Sequence, residues 1–79
     1  MNFLKYITEY KKESKFSEED ILNAIRSDRD IYIKVLFNDP KHNPNSPVTP
    51  LSYYEGDLII RDSDGNIGST KLKFVSDIL

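Results

Sequence analysis

The sequence predicts an α+β domain: two N-terminal helices packed on a small, mainly antiparallel β-sheet that ends in a hairpin. Three observations carry that prediction. Apolar residues recur at helical spacing through the first third of the chain. The segment DIYIKVLF at 30–37 then has high strand propensity, with apolar residues on both faces. Finally, DLIIRDSDGNIGSTKLKFV at 57–75 reads as two strands around a tight turn. Seventy-nine residues make one domain, 1–79, with a modest core.

The first helix is expected over 2–13, NFLKYITEYKKE, with Phe3, Leu4, Ile7, Tyr10 and Lys11 at helical spacing and Tyr6 on the flank. It reads as an amphipathic helix that packs on the sheet. A second helix is expected from Ser17 to about Arg26 or Ser27. Ser17 is a good N-cap and Asp20 stands where a capping-box acid belongs. Phe16 and Ile21 are spaced for a hydrophobic staple. Glu18, Glu19 and Asp20 fill the first turn, where the helix dipole favours anions. Ile21, Leu22 and Ile25, with Ala24, form the apolar stripe.

The segment 30–37 has the strongest strand propensity. Ile31, Ile33, Val35 and Phe37 fall on one face and Tyr32, Lys34 and Leu36 on the other, as in an inner strand. The stretch 38–50 is irregular, with Pro40, Pro44, Pro47 and Pro50 among Asn, Ser and Asp. Proline donates nothing to a ladder, so a strand over Val48–Ser52 would be an edge strand. In the hairpin, the favoured loop is Ser63-Asp64-Gly65, with Gly65 left-handed. That register faces Asp62 to Asn66 and Leu58 to Thr70. It puts Leu58, Ile60, Leu72 and Phe74 on one face, and Ile59, Ile67 and Val75, with Lys71 and Lys73, on the other. The tail 76–79 offers Ile78 and Leu79 to the core. The sheet is expected to have three to five strands.

Composition removes most chemistry. There are no cysteines, hence no disulfide and no thiolate metal site. This suits a cytosolic setting. Net charge is −2, too near balance to indicate a nucleic-acid partner. No apolar run approaches a membrane span, and Lys5 and Glu9 interrupt any signal-like stretch. The single histidine, His42, sits in the proline-rich loop without a cysteine to activate. The run from Asp62 to Gly68 departs from a calcium loop in its glycine position and has Lys73 where the terminal Glu belongs. No glycine-rich phosphate loop is present. Paired carboxylates exist, but a chain this short leaves little room for a sugar cleft. The expectation is therefore a non-enzymatic binding protein without cofactor or metal.

Taken in order, NFLKYITEY, SEEDILNAI, DIYIKVLFND and YYEGDLIIRDSDGN resemble the successive segments of the phage uracil-DNA glycosylase inhibitor family. The resemblance is collinear over most of the chain. It implies a small protein that blocks a nucleic-acid enzyme by imitating DNA, in the cytoplasm of a bacterial host. It further implies that Glu13 and Ser14 match the family's Glu-Ser contact pair and that Glu19 and Asp20 are its helix acids; on this reading Glu13, Glu18, Glu19 and Asp20 supply phosphate-like carboxylates. A hydrophobic pocket would be lined by Ile21, Ala24, Ile25 and Ile59, with Val48 or Leu51 added from the middle of the chain. Two other readings stand beside it. The element order also suits a helix-turn-helix with a wing, in which Lys71, Lys73, Lys11, Lys12 and Lys15 meet phosphates, although three acids open its second helix. A regulatory protein-interaction domain using the sheet edge is the third.

Overall fold

The computed structural model describes residues 14–79. The helix expected over 2–13 lies outside the described residues, so one α-helix is described where two were expected. That helix, α1, spans Glu18–Arg26. The strands are β1 (Ile31–Ile33), β2 (Thr49–Tyr54), β3 (Asp57–Arg61), β4 (Ile67–Lys71) and β5 (Val75–Ile78), with a 3-10 turn at Leu72–Phe74. The class is α+β, as expected.

Local chemistry sets both ends of α1. The Ser17 hydroxyl accepts the Asp20 N–H at 3.2 Å, and the Asp20 carboxylate accepts the Ser17 N–H at 2.9 Å. This is the reciprocal capping box that the sequence indicated. At the other end Asp28 takes φ 54°, the left-handed conformation. The Arg29 N–H then reaches the Ala24 carbonyl at 3.0 Å and the Asp28 N–H the Ile25 carbonyl at 3.5 Å. That pair is a Schellman closure, here with Asp in place of the usual glycine.

All strand pairing is antiparallel, in a three-stranded meander β2-β3-β4 and a two-stranded ribbon β1-β5. Ile31 and Val48 exchange both backbone hydrogen bonds at 2.8 Å and so join ribbon to meander. The distal hairpin has the expected register: Leu58 faces Thr70, and the Asp62 N–H reaches the Asn66 carbonyl at 2.9 Å. Gly65 has φ 86°. The Asp62 side chain accepts the N–H groups of Asp64 and Asn66, both at 2.9 Å, which locks the loop. The β2–β3 turn is Glu55-Gly56, both at positive φ (49° and 90°), the geometry of a primed two-residue turn.

Three strand expectations need correction. The strand expected over 30–37 stops at Ile33. A register shift falls between Tyr32 and Ile33, the chain bends at Lys34, and the buried phase changes: Ile31, Ile33 and then Leu36 are buried, while Val35 and Phe37 are exposed. Beyond the bend this segment lies along the outer edge of β4. The Thr70 hydroxyl donates to the Val35 carbonyl at 2.6 Å, the Phe37 N–H donates to Ser69 at 3.0 Å, and the Asn38 side chain bonds both Ile67 and Ser69. Second, Leu72 and Phe74 do not continue the Leu58–Ile60 face. The strand gives way to the 3-10 turn, and the inward partners of Leu58 and Ile60 are Thr70 and Gly68. Third, Val75 is buried in β5 against β1 rather than on the outer hairpin face. The proline-containing strand is six residues long, with Pro50 beside a register shift on an otherwise unpaired edge.

The core is Ile21, Ala24, Ile31, Ile33, Leu36, Val48, Leu58, Ile60 and Val75, with Phe16, Ile25, Tyr53, Leu72 and Ile78 packed around it. The buried face of α1 thus shares one core with both sheets. Among the described residues no helix is long and apolar enough to cross a membrane.

Candidate partner-binding site

The chain leading into α1 builds the most featured surface of the described structure. Phe16 precedes the N-cap and packs on the core, half-buried. Two grooves adjoin at this point, because Phe16 and Asp20 line both. One, about 760 Å³, has Phe16, Tyr53 and Leu72 as apolar walls and Ser14 and Glu18 on its polar rim. The other, about 510 Å³, runs beside the helix between Ala24, Ile78 and Phe16, with Asn23 and Arg29 as polar lining. Smaller grooves of about 190 and 340 Å³ lie along Asp62 near the hairpin tip.

The acids of the first turn divide by role. Asp20 is committed to the capping box. Glu18 and Glu19 are exposed and make no ion pair among the described residues, where the one ion pair joins Lys71 and Asp57 across β4 and β3. Lys15 lines the same groove as Glu18, its ammonium donating to the Ser76 carbonyl at 3.1 Å and lying 5.5 Å from the Phe16 ring centroid. The rim of the larger groove therefore carries Glu18 and Lys15, with Glu19 exposed on the same helical turn.

Glu13 lies outside the described residues, while Ser14 is half-buried at the groove rim. Glu18, Glu19 and Asp20 are together on the first turn. Ile21, Ala24 and Val48 are at most 2% exposed and belong to the core. Ile25 is half-buried against it, and Leu51 sits in the irregularity between Pro50 and Ser52. Ile59 points to the face opposite its buried neighbours Leu58 and Ile60. Among the described residues, Ala24 borders the 510 Å³ groove and Val48 the 190 Å³ groove, while Ile21, Ile25 and Ile59 line none of the four. The apolar walls come instead from Phe16, Tyr53, Leu72 and Ile78. Phe16 carried a signal in its staple position, but the other three are brought in by tertiary placement of β2, the 3-10 turn and β5.

The loop histidine has a structural partner. A His42 ring nitrogen, Nε2, lies 3.3 Å from the Ile33 carbonyl, pinning the proline-rich loop to β1. The Asp39 side chain accepts the Lys41 N–H at 3.1 Å within the same loop. Among the described residues no three His, Cys, Asp or Glu side chains gather as a metal site would require. Compared with protein-family models, curated proteins and solved structures, the chain matches none.

Proposed function

We propose that this chain is a small non-catalytic inhibitor that docks on a nucleic-acid enzyme through the first turn of α1 and the grooves beside it. The observation that carries the reading is the placing of exposed Glu18, with Glu19 beside it on the same turn and neither in an ion pair among the described residues, at a groove walled by Phe16, Tyr53 and Leu72. Carboxylates on a rim can occupy positions that an enzyme reserves for DNA phosphates, and electrostatic matching speeds and orients the encounter. An apolar groove can accept a protruding side chain, and a buried anchor of that kind supplies most of the energy of a tight complex. The collinear resemblance to the uracil-DNA glycosylase inhibitors makes that enzyme, in a bacterial cytoplasm, the first partner to try.

The test is uracil excision from a labelled duplex with increasing chain at fixed enzyme. Inhibition saturating near stoichiometric protein is expected, and Glu18→Gln with Glu19→Gln should weaken it on the order of tenfold at low salt, the gap narrowing as salt rises. Full excision at large molar excess of folded protein refutes the glycosylase as partner. Equal inhibition by the double variant refutes the role of the two acids.

A further inference from the structure

A second surface, sharing no residue with the grooves at α1, is assembled where the bent segment after β1 meets the 3-10 turn. Phe37 is 51% exposed, although its backbone is fixed by the N–H bond to Ser69 at 3.0 Å. Its ring meets that of Phe74 edge-on, centroids 5.8 Å apart and planes at 90°. The Lys73 ammonium lies 5.4 Å from the Phe74 ring centroid. The Lys34 backbone N–H donates to the Phe74 carbonyl at 2.8 Å, so the backbone of an exposed lysine adjoins the 3-10 turn. Val35, 39% exposed, extends the apolar surface. Among the described residues Asp57 pairs with Lys71, Asp39 accepts within its own loop, and Asp77 of β5 accepts the Ile78 N–H at 2.9 Å. Neither Phe37 nor Phe74 lines any of the four grooves described above.

We propose that Phe37 and Phe74, flanked by Lys34 and Lys73, form a stacking site for an unpaired base of single-stranded nucleic acid. A half-exposed ring on a fixed backbone offers a face to any base, and the Lys73 ammonium beside Phe74, with the exposed Lys34 on the neighbouring segment, supplies positive charge for adjacent phosphates. A peptide partner would instead need a concave pocket to anchor a side chain, and the flat aromatic edge provides none among the grooves described. The site is independent of the inhibitor reading, so either can fail alone.

The chain contains no tryptophan, so Phe37→Trp installs a unique fluorophore at the site. Titrating the full chain carrying Phe37→Trp with a single-stranded oligothymidylate should quench that fluorescence. Anisotropy of a labelled oligothymidylate should report binding by the unsubstituted chain, weakened about 5- to 100-fold in Phe37→Ala. Replacing Lys34 and Lys73 with Gln should lower the log–log salt slope by about 1.4, at ~0.7 per phosphate contact. Circular dichroism checks that each variant is folded. Absence of quenching overturns the proposal. So does equal binding of an oligoglutamate of matching charge with no response to Phe37→Ala, which would assign the face to acidic peptides. Glycosylase inhibition should be unchanged by Phe37→Trp.

Discussion

Substituting Gly68 with alanine tests how the bent segment after β1 is held against β4. A Cβ at Gly68 would stand 2.6 Å from the Asn38 side-chain oxygen, 2.6 Å from Leu36 Cδ1 and 3.2 Å from Leu36 Cγ. Leu36 is 4% exposed, so it cannot swing into solvent. Asn38 is held by two bonds, donating to the Ile67 carbonyl at 3.2 Å and accepting the Ser69 N–H at 3.3 Å. Its amide thus pairs with the edge of β4 as a neighbouring peptide group would. Relief of the clash requires the segment 36–38 to move off that edge. Overpacking costs about 1–3 kcal/mol, and weakening two or three edge hydrogen bonds adds about 1 kcal/mol or more. The expected loss is about 2–4 kcal/mol, a large share of the stability of a domain this size, and a fall in Tm of roughly 10–30 °C. Urea unfolding followed by circular dichroism measures it. The opposing argument predicts the opposite sign: Gly68 is not at positive φ, so alanine would stabilise by about 0.4–1 kcal/mol through the unfolded chain alone. A neutral or stabilised Gly68→Ala would refute the close approach. A favourable coupling of about 1 kcal/mol with Asn38→Ala in a double-mutant cycle would locate the clash.

Three further substitutions probe other joints. Ser17→Ala removes one arm of the capping box and should cost about 1 kcal/mol in urea denaturation. Asp28→Gly should raise the urea midpoint at unchanged slope, by about 0.5 kcal/mol, because the left-handed C′ position penalises a side chain more than glycine's added chain entropy costs. Thr70→Val removes the buried hydroxyl that donates to the Val35 carbonyl at 2.6 Å, and should cost about 1–2 kcal/mol while leaving the far-ultraviolet spectrum unchanged.

Elements fixed by neighbours in sequence were legible. The distal hairpin register follows from the turn chemistry of Asp62 and Gly65, together with the need to bury Leu58 and Ile60 on one face. The start of α1 follows from Ser17, Asp20 and Phe16. Elements ended by distant partners were not. The alternation of Ile31 to Phe37 runs on through the sequence, yet Lys34 bonds Phe74 and Thr70 takes Val35, so the chain turns away from β5 toward β4. The alternation through Leu72 and Phe74 misleads in the same way, because the crossover from β4 back to β1 needs a turn there. At the candidate site the acids were legible and the apolar walls were not. An isoleucine on a helix stripe suits a core and a pocket equally, and the core claimed Ile21.

That division gives Asp20 particular weight in testing the inhibitor reading. Its carboxylate accepts the Ser17 N–H inside the helix cap, whereas Glu18 and Glu19 have no such partner among the described residues. Helix-start electrostatics and phosphate mimicry both call for acids here, but they rank the three differently. If the acids serve only the helix, Asp20→Asn lowers stability most, and the glutamate variants change stability by no more than about 0.3–1 kcal/mol through the helix dipole. Any change in inhibition then follows the change in stability. If Glu18 and Glu19 meet a phosphate-binding surface, the order of the two measurements inverts. The glutamate variants lose inhibition with nearly unaltered urea midpoints, while Asp20→Asn loses chiefly stability and, at temperatures where it is folded, loses less inhibition than either glutamate variant. Measuring excision and unfolding on the same three proteins separates the cases, and inhibition that tracks stability across all three would eliminate mimicry by this turn.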